Sequence, residues 1–195
     1  MPSLKDEMRK LGVSNGTVLI GPESVEINVT QVCNLKCIYC FYHSPLARNE
    51  CKEEHMPLET FKTIIDDLKA LGTESVMITG GGEPTAHPQF ANMIDFLKSR
   101  NMRITVFTNG VFDKSVIKHM MKVDGIEFNL ASLRDDRYRR IQSSTSDVSV
   151  KTPLDNIRVI SMLRARKHMS NPIMTLVFII NEINWDETEN VFRFA

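Results

Sequence analysis

Three of the four cysteines in this chain fall within eight positions, in the run "CNLKCIYC" at residues 33–40. Thiols at that density form disulfides, ligate a metal or carry out redox chemistry. Cys33, Cys37 and Cys40 are spaced i, i+4 and i+7, which also reads as one helix face using cysteine as a small buried hydrophobe. A structural zinc site is a second reading, with His43 or Cys51 as fourth ligand, although no second spaced pair accompanies them. An iron–sulfur cubane is the third. Each of its four irons needs an outer ligand, so three thiolates leave one iron open as a binding position.

Composition narrows the setting for that chemistry. The 195 residues are 42% hydrophobic and 25% charged, which suits one globular domain with a sizeable core. Lys plus Arg equals Asp plus Glu at 24 each, so no global field favours nucleic acid or a membrane surface. The N-terminus "MPSLKDEMRK" is polar, and no run reaches the roughly 18–20 apolar residues of a membrane span. A cytoplasmic chain is expected. Thiols stay reduced there, which makes disulfides a poor account of the cluster.

The elements that must position the cysteines follow from hydrophobic period. "VEINVT" (25–30), "SVMIT" (75–79), "RITVFT" (103–108), "IEFNLA" (126–131) and "PIMTLVFII" (172–180) read as strands. Helical spacing is kept by Leu58, Phe61, Ile64, Ile65 and Leu68, by Phe90, Met93, Ile94 and Leu97, and by Leu154, Ile157, Ile160 and Leu163. Pro88 stands where the second of these helices is expected to begin. Strand–helix alternation predicts βαβ units and a parallel sheet, either doubly wound or a barrel, with ligands at the carboxyl ends of the strands. The cysteines follow the first strand, "GGGEP" the second, "NG" the third and "SLRDD" the fourth. All the unusual residues therefore fall on one rim.

C-x₃-C-x₂-C, with Tyr39 just before the last cysteine, closely resembles the signature of the radical S-adenosylmethionine (radical SAM) enzymes. The resemblance implies a [4Fe–4S] cluster on Cys33, Cys37 and Cys40, with its open iron chelated by the amino and carboxylate groups of S-adenosylmethionine. Backbone beside Tyr39 would touch the adenine. "TGGGEPTAHP" (79–88) looks like the Gly-Gly-Glu motif of the same family. Gly81 and Gly82 would then give close backbone approach, and Glu83 would help hold the methionine ammonium. Thr108 and Asn109, in "TNG", are similar to a ligand-contacting strand end, although Asn-Gly is also a good turn. "ASLRDD" resembles the family's S-L-D-G after strand four, which makes Ser132 the candidate ribose contact and Asn129 the second, with Arg134 standing where that pattern has Asp. "RDDRYRR" (134–140) reads as a solvated helix face from which one arginine reaches the S-adenosylmethionine carboxylate. Asn184 in "NEIN" looks like the asparagine-bearing end of strand five, without the family's Gly-rich pattern there. Cys51 is outside the motif and reads as a free thiol, the five histidines are scattered, and the eleven methionines read as core filler.

The implied fold is α/β: a partial (β/α)₆ TIM-like barrel of parallel strands, truncated after about five. Residues 1–22 form an N-terminal extension and 23–195 a core domain incomplete at its C-terminus, as in a fragment of a longer chain whose last strand leaves an unpaired edge. The implied activity is one-electron cleavage of S-adenosylmethionine to a 5′-deoxyadenosyl radical, which abstracts hydrogen from a peptide or small biosynthetic substrate. An electron donor such as flavodoxin or ferredoxin is the implied partner. RNA modification and cobalamin-dependent methyl transfer are alternatives within the family. A non-catalytic iron–sulfur or zinc module is the alternative outside it.

Overall fold

Short runs rich in Val, Ile, Phe and Thr form five strands: β1 (Ser24–Asn28), β2 (Ser75–Thr79), β3 (Arg103–Thr108), β4 (Gly125–Asn129) and β5 (Ile173–Val177). The structure, a computed structural model, describes residues 3–47, 52–142 and 148–195, so Cys51 lies outside the described residues. Seven α-helices accompany the strands there: α1 (Leu4–Asn15), α2 (Leu58–Ala70), α3 (Phe90–Ser99), α4 (Ile117–Met120), α5 (Asp135–Ile141), α6 (Lys151–Arg166) and α7 (Thr188–Phe194). All neighbouring strands pair in parallel, in the order β1-β2-β3-β4-β5. The order never reverses. Right-handed crossovers that always step the same way keep the helices on one face, which is how a TIM-like barrel begins and a doubly wound sheet does not.

The two faces of the sheet differ accordingly. Ile27, Val76, Ile78, Ile104, Val106, Ile126 and Phe128 are buried against Phe61 and Ile65 of α2, Met93, Ile94 and Leu97 of α3, and Ile157 and Ile160 of α6. Burial of each such side chain contributes roughly 1.5–3 kcal/mol. Alternation then sends Glu26, Asn28, Thr79, Thr105, Phe107, Glu127 and Thr175 to the opposite, open face. Thr79 Oγ1 there lies 2.6 Å from Asn28 Oδ1 and 3.2 Å from Glu26 Oε1.

The partial barrel thus agrees with the sequence reading, and boundaries shift by a few residues. The helix expected at Pro88 starts at Phe90, because His87 and Gln89 first close a turn that ends at Phe90 N–H. Helix α1, which hydrophobic period did not announce, is fixed by a reciprocal Ser3–Asp6 capping box and by Gly16 at φ 64°. Beyond β1, Val29 and Thr30 continue the ladder. Val29 N–H donates to Thr79 O, and Gly82 N–H donates to Thr30 O. Their other edge is covered by the returning segment 54–56, through Gln31 N–H to Glu54 O and Met56 N–H to Val29 O.

Candidate active site

Residues 31–47 form a loop with no helical segment, so the helix-face reading of the cysteines is not realised. The loop is tied down at both flanks. Asn34 bridges to the end of β3, donating to Val111 O at 2.6 Å and accepting from Asn109 Nδ2 at 2.8 Å. On the other side Ile38 N–H donates to Ile141 O, and the Cys37 thiol lies 3.5 Å from Gln142 O. Leu35 is buried between these anchors.

Cys33, Cys37 and Cys40 are all free thiols, partly buried. Burial first, then nearby charge at Glu83 and Cys40, pushes the Cys33 thiol up to about 11. Burial, then Cys33 and Cys40, pushes Cys37 up to about 12. The three sulfurs thus lie close enough to feel one another. Among the described residues, no three His, Cys, Asp or Glu side chains converge as a single metal ion requires. A cluster takes one thiolate per iron, so its ligands need not meet at one point.

The glycine turn packs directly under this loop. Gly82 N–H and Glu83 N–H donate to Thr30 O and Val32 O, at 3.0 and 2.8 Å. A Cβ on Gly82 would stand 2.0 Å from Val32 O, and one on Gly81 would stand 1.8 Å from Gln31 Oε1. These two glycines therefore allow the close approach of the cysteine stem itself. Glu83 follows, 2% exposed, as the cap of a 3₁₀ turn at Pro84–Ala86. Its carboxylate accepts four hydrogen bonds: Thr85 N–H, Thr85 Oγ1, Thr108 Oγ1 and Asn109 N–H, at 3.1, 2.7, 2.7 and 2.8 Å. Burial raises its carboxyl pKa against the opposing pull of those bonds. No Lys or Arg among the described residues forms an ion pair with it. Thr108 and Asn109 are thus gathered with Glu83, which they orient.

At the ends of β4 and β5 the remaining candidates divide. Asn129 accepts from the Tyr39 hydroxyl at 3.3 Å, joining the aromatic of the cysteine loop to β4. Ser132 is fully buried, and its hydroxyl is shared between both oxygens of Glu187 at 2.8 Å. Asn184 is also buried. It donates to Ala131 O and Ile179 O and accepts from Asn181 N–H, closing the turn after β5. Three arginines of the 134–140 run are engaged with carboxylates: Arg134 with Asp136, Arg137 with Asp186 and Glu187, and Arg139 with Asp135.

Residues 27–195 match the profile of the Radical SAM superfamily. The chain belongs to that superfamily. It is 28% identical over 122 residues to Fe-coproporphyrin III synthase of Methanosarcina barkeri, covering 60% of this chain and 30% of that protein. It is 26% identical over 154 residues to GTP 3′,8-cyclase of Lactiplantibacillus plantarum, covering 77% and 45%. Among solved structures, Streptococcus suis SuiB bound to precursor peptide SuiA shares its fold, with a TM-score of 0.74 at 20% identity over 97% of this chain and 40% of that one. The matched stretch spans less than half the length of each of these three proteins. Radical SAM proteins are enzymes that use a [4Fe–4S] cluster with S-adenosylmethionine.

Several residues of this radical SAM chain escape a motif search. Thr85 sits two positions past Glu83, an ordinary side chain-to-backbone cap that can be read from sequence once the turn is suspected. Gln142 is fully buried; its amide bridges Ala131 N–H and Asn129 O. His55 and His87 pack edge to face 4.9 Å apart beside Thr30, whose hydroxyl contacts His55 Nδ1 at 2.8 Å. Gln142 and Glu187 carry no local signal. Each works through partners at least ten residues away.

Proposed function

We propose that this chain carries the cluster-binding and S-adenosylmethionine-binding half of a radical SAM enzyme, with Cys33, Cys37 and Cys40 as cluster ligands and Glu83 as acceptor for the methionine ammonium. The supporting observation is the ladder from Thr30 and Val32 to Gly82 and Glu83, which sets a buried carboxylate beside Cys33. The donor set fits the cofactors. Three free thiols share one loop, and the adjacent carboxylate is held by four donors, three on Oε1 and one on Oε2, with no cation of its own among the described residues. Such a carboxylate takes an ammonium with little reorganisation, since four donors already hold its orientation. When bound, the cluster and S-adenosylmethionine supply a 5′-deoxyadenosyl radical for hydrogen abstraction. Tyr39 and Asn129 line the side of the loop toward β4 and would border the nucleoside. Ser132 and Asn184, committed to internal partners, would shape the β4 and β5 ends around it.

The open face below the rim would receive substrate. It carries the carboxylates of Glu26 and Glu127 among neutral Asn28, Thr79, Thr105 and Thr175. The basic residue on that face, Arg103, stands at the start of β3 in ion pairs with Glu23 and Glu74. This charge pattern suits a peptide or small biosynthetic molecule better than a phosphate-rich one, which needs cations.

The test is anaerobic reconstitution with iron and sulfide, reduction, and assay for 5′-deoxyadenosine, with Cys37→Ala alongside. The parent should bind a cluster and release 5′-deoxyadenosine, and the variant should release none. A colourless parent that takes up one zinc would sink the reading.

A further inference from the structure

Carboxylates that are partly or fully buried in this chain are, with two exceptions, paired with a base. Asp6, Glu74, Asp124, Asp155 and Glu187 each hold a Lys or Arg. Among the described residues, two shielded carboxylates have no basic partner. One is Glu83, whose four neutral donors compensate it. The other is Glu127, in the middle of β4. It is half-buried, and among the described residues it has no hydrogen bond either. A partly desolvated charge left without any partner is costly to the fold, which points to a partner that arrives from outside.

The surroundings of Glu127 say what that partner is. Alternation puts it on the open face of the sheet, two residues and about 7 Å of strand inward from Asn129 at the rim. It lines a groove of about 340 Å³ together with Thr105, Thr175, Gly125, Arg103 and Asp124. The two charged neighbours are occupied. Arg103 pairs with Glu23 and Glu74, while Asp124 pairs with Lys98 and accepts from Ile104 N–H. The hydroxyls of Thr105 and Thr175 have no partner among the described residues. Gly125, two positions before Glu127 on the same face, keeps the groove open, since a Cβ there would stand 3.1 Å from Thr105 Oγ1. Phe107 is the neighbour of Glu127 in the β3–β4 register, half-buried on the same face. A carboxylate beside an aromatic ring suits a cation carried on carbon, because the ring face attracts the charge and the carbon chain packs on the ring. A bare metal ion needs more ligands, and no three His, Cys, Asp or Glu converge among the described residues.

We propose that Glu127 is a substrate anchor, its carboxylate accepting from an ammonium or guanidinium group of the substrate, with the Thr105 and Thr175 hydroxyls as further acceptors and the Phe107 ring alongside. This rests on the reading of the open face as the substrate side. It narrows the substrate to a molecule with a cationic nitrogen, such as a lysine or arginine side chain of a peptide or the amine of a small biosynthetic compound. The anchor holds that nitrogen below the rim, and the rest of the molecule extends toward Asn129 and the cysteine loop.

The test uses Nα-acetyl-lysine N-methylamide as probe, with the norleucine analogue as its uncharged counterpart and the arginine analogue as the guanidinium form. Each is titrated into the iron-free chain labelled with ¹³C-glutamate, and the Glu127 side-chain carbonyl is followed by magnetic resonance. Equilibrium dialysis repeats the measurement after anaerobic loading with iron and sulfide. The lysine or arginine probe should shift the Glu127 signal saturably, and the norleucine probe should not. Whichever cation binds more tightly is assigned to the anchor. Glu127→Gln should weaken that probe by about fivefold, or about 1 kcal/mol. Asp67→Asn, which removes one exposed charge on α2, should stay within about twofold of the parent. If Glu127→Gln does not fold, Glu127→Asp, which withdraws the carboxylate by one methylene, is read in its place and should weaken binding in the same direction. No saturable shift with either cation overturns the proposal, as does equal binding of the norleucine probe. An equal loss in Asp67→Asn would mean attraction by net charge alone, and overturns it too. The titration needs no iron, so a chain that fails to load a cluster bears on the cofactor assignment and leaves this result separate.

Discussion

Glu83 and Glu187 are both carboxylates buried on the same rim, at 2% and 3% exposed, and the protein treats their charges differently. Glu187 accepts from Ser132 Oγ and Leu133 N–H and pairs with Arg137 at 3.1 Å, which also holds Asp186. Its charge is neutralised internally, and it ties the turn after β5 to the start of α5. Glu83 has four neutral donors and no cation among the described residues. A buried charge is stable when paired, and one that is only solvated by dipoles is suited to receive a cation from outside. Glu187 serves the fold, and Glu83, with no cation of its own among the described residues, is the carboxylate proposed to meet a ligand.

Glu187→Leu should give the largest loss of stability, about 3 kcal/mol, because it leaves Ser132 Oγ, Leu133 N–H and one arm of Arg137 without their acceptor. Urea unfolding of the chain measures this. A loss under about 1 kcal/mol would mean that the two carboxylates do not differ as described. Gly82→Ala follows, at about 1–3 kcal/mol, since its Cβ would meet the backbone oxygen of Val32 and something rigid must shift. That shift displaces the cysteine stem, so retained iron per chain should fall as well. Gly81→Ala should cost less, because the atom it meets is the far end of the Gln31 side chain, which can move.

Glu83→Gln inverts the pattern of Glu187. It removes a charge whose burial was costly and introduces one donor facing another, so stability should stay within about 1 kcal/mol of the parent. Affinity for S-adenosylmethionine, by equilibrium dialysis on cluster-loaded protein, should fall at least tenfold, or about 1.4 kcal/mol. A variant that unfolds but binds normally when folded would assign Glu83 to the structure and not the ligand. Thr85→Ala, which removes one hydroxyl donor from the same carboxylate, should show a smaller loss in the same direction.

How much of this was legible in sequence depended on distance along the chain. The alternation of strands and the cysteine spacing are local patterns, and the parallel sheet with the cysteine loop and glycine turn on one rim follows from them. Glu83 could be found because three glycines precede it. That Thr108 and Asn109 orient Glu83 was not legible, since the bonds join residues about 25 positions apart and depend on β2 pairing with β3 in register. For Ser132 the motif drew attention to the turn after β4. The hydrogen-bond partner, Glu187, lies 55 residues away and belongs to an acidic run with no periodicity. Tyr138 reads from sequence as one aromatic in a charged helix, and only the structure shows it buried, with no partner for its oxygen among the described residues.

The smallest effect separates the two carboxylates by pH. His87 anchors the turn that begins at Glu83: its Nδ1 accepts from Gln89 N–H at 3.0 Å, so its Nε2–H donates to Met56 O at 2.9 Å. Burial, and then the neighbouring His55 ring, lowers its pKa against the opposing pull of Met56 O. Its native pKa therefore lies below the unfolded value of about 6.5. As pH falls through that value, unfolded chains take up a proton before folded ones, so stability declines with falling pH until the native value is passed. The decline should be local. Hydrogen-exchange protection of amides around 83–89 should weaken between pH 7 and 5.5, while that of Leu133, beside Glu187, should hold once intrinsic rates are corrected. His87→Gln should flatten the difference. Equal weakening on both sides would show that acid acts through the whole chain, and would leave the Glu83 turn with no separate titration.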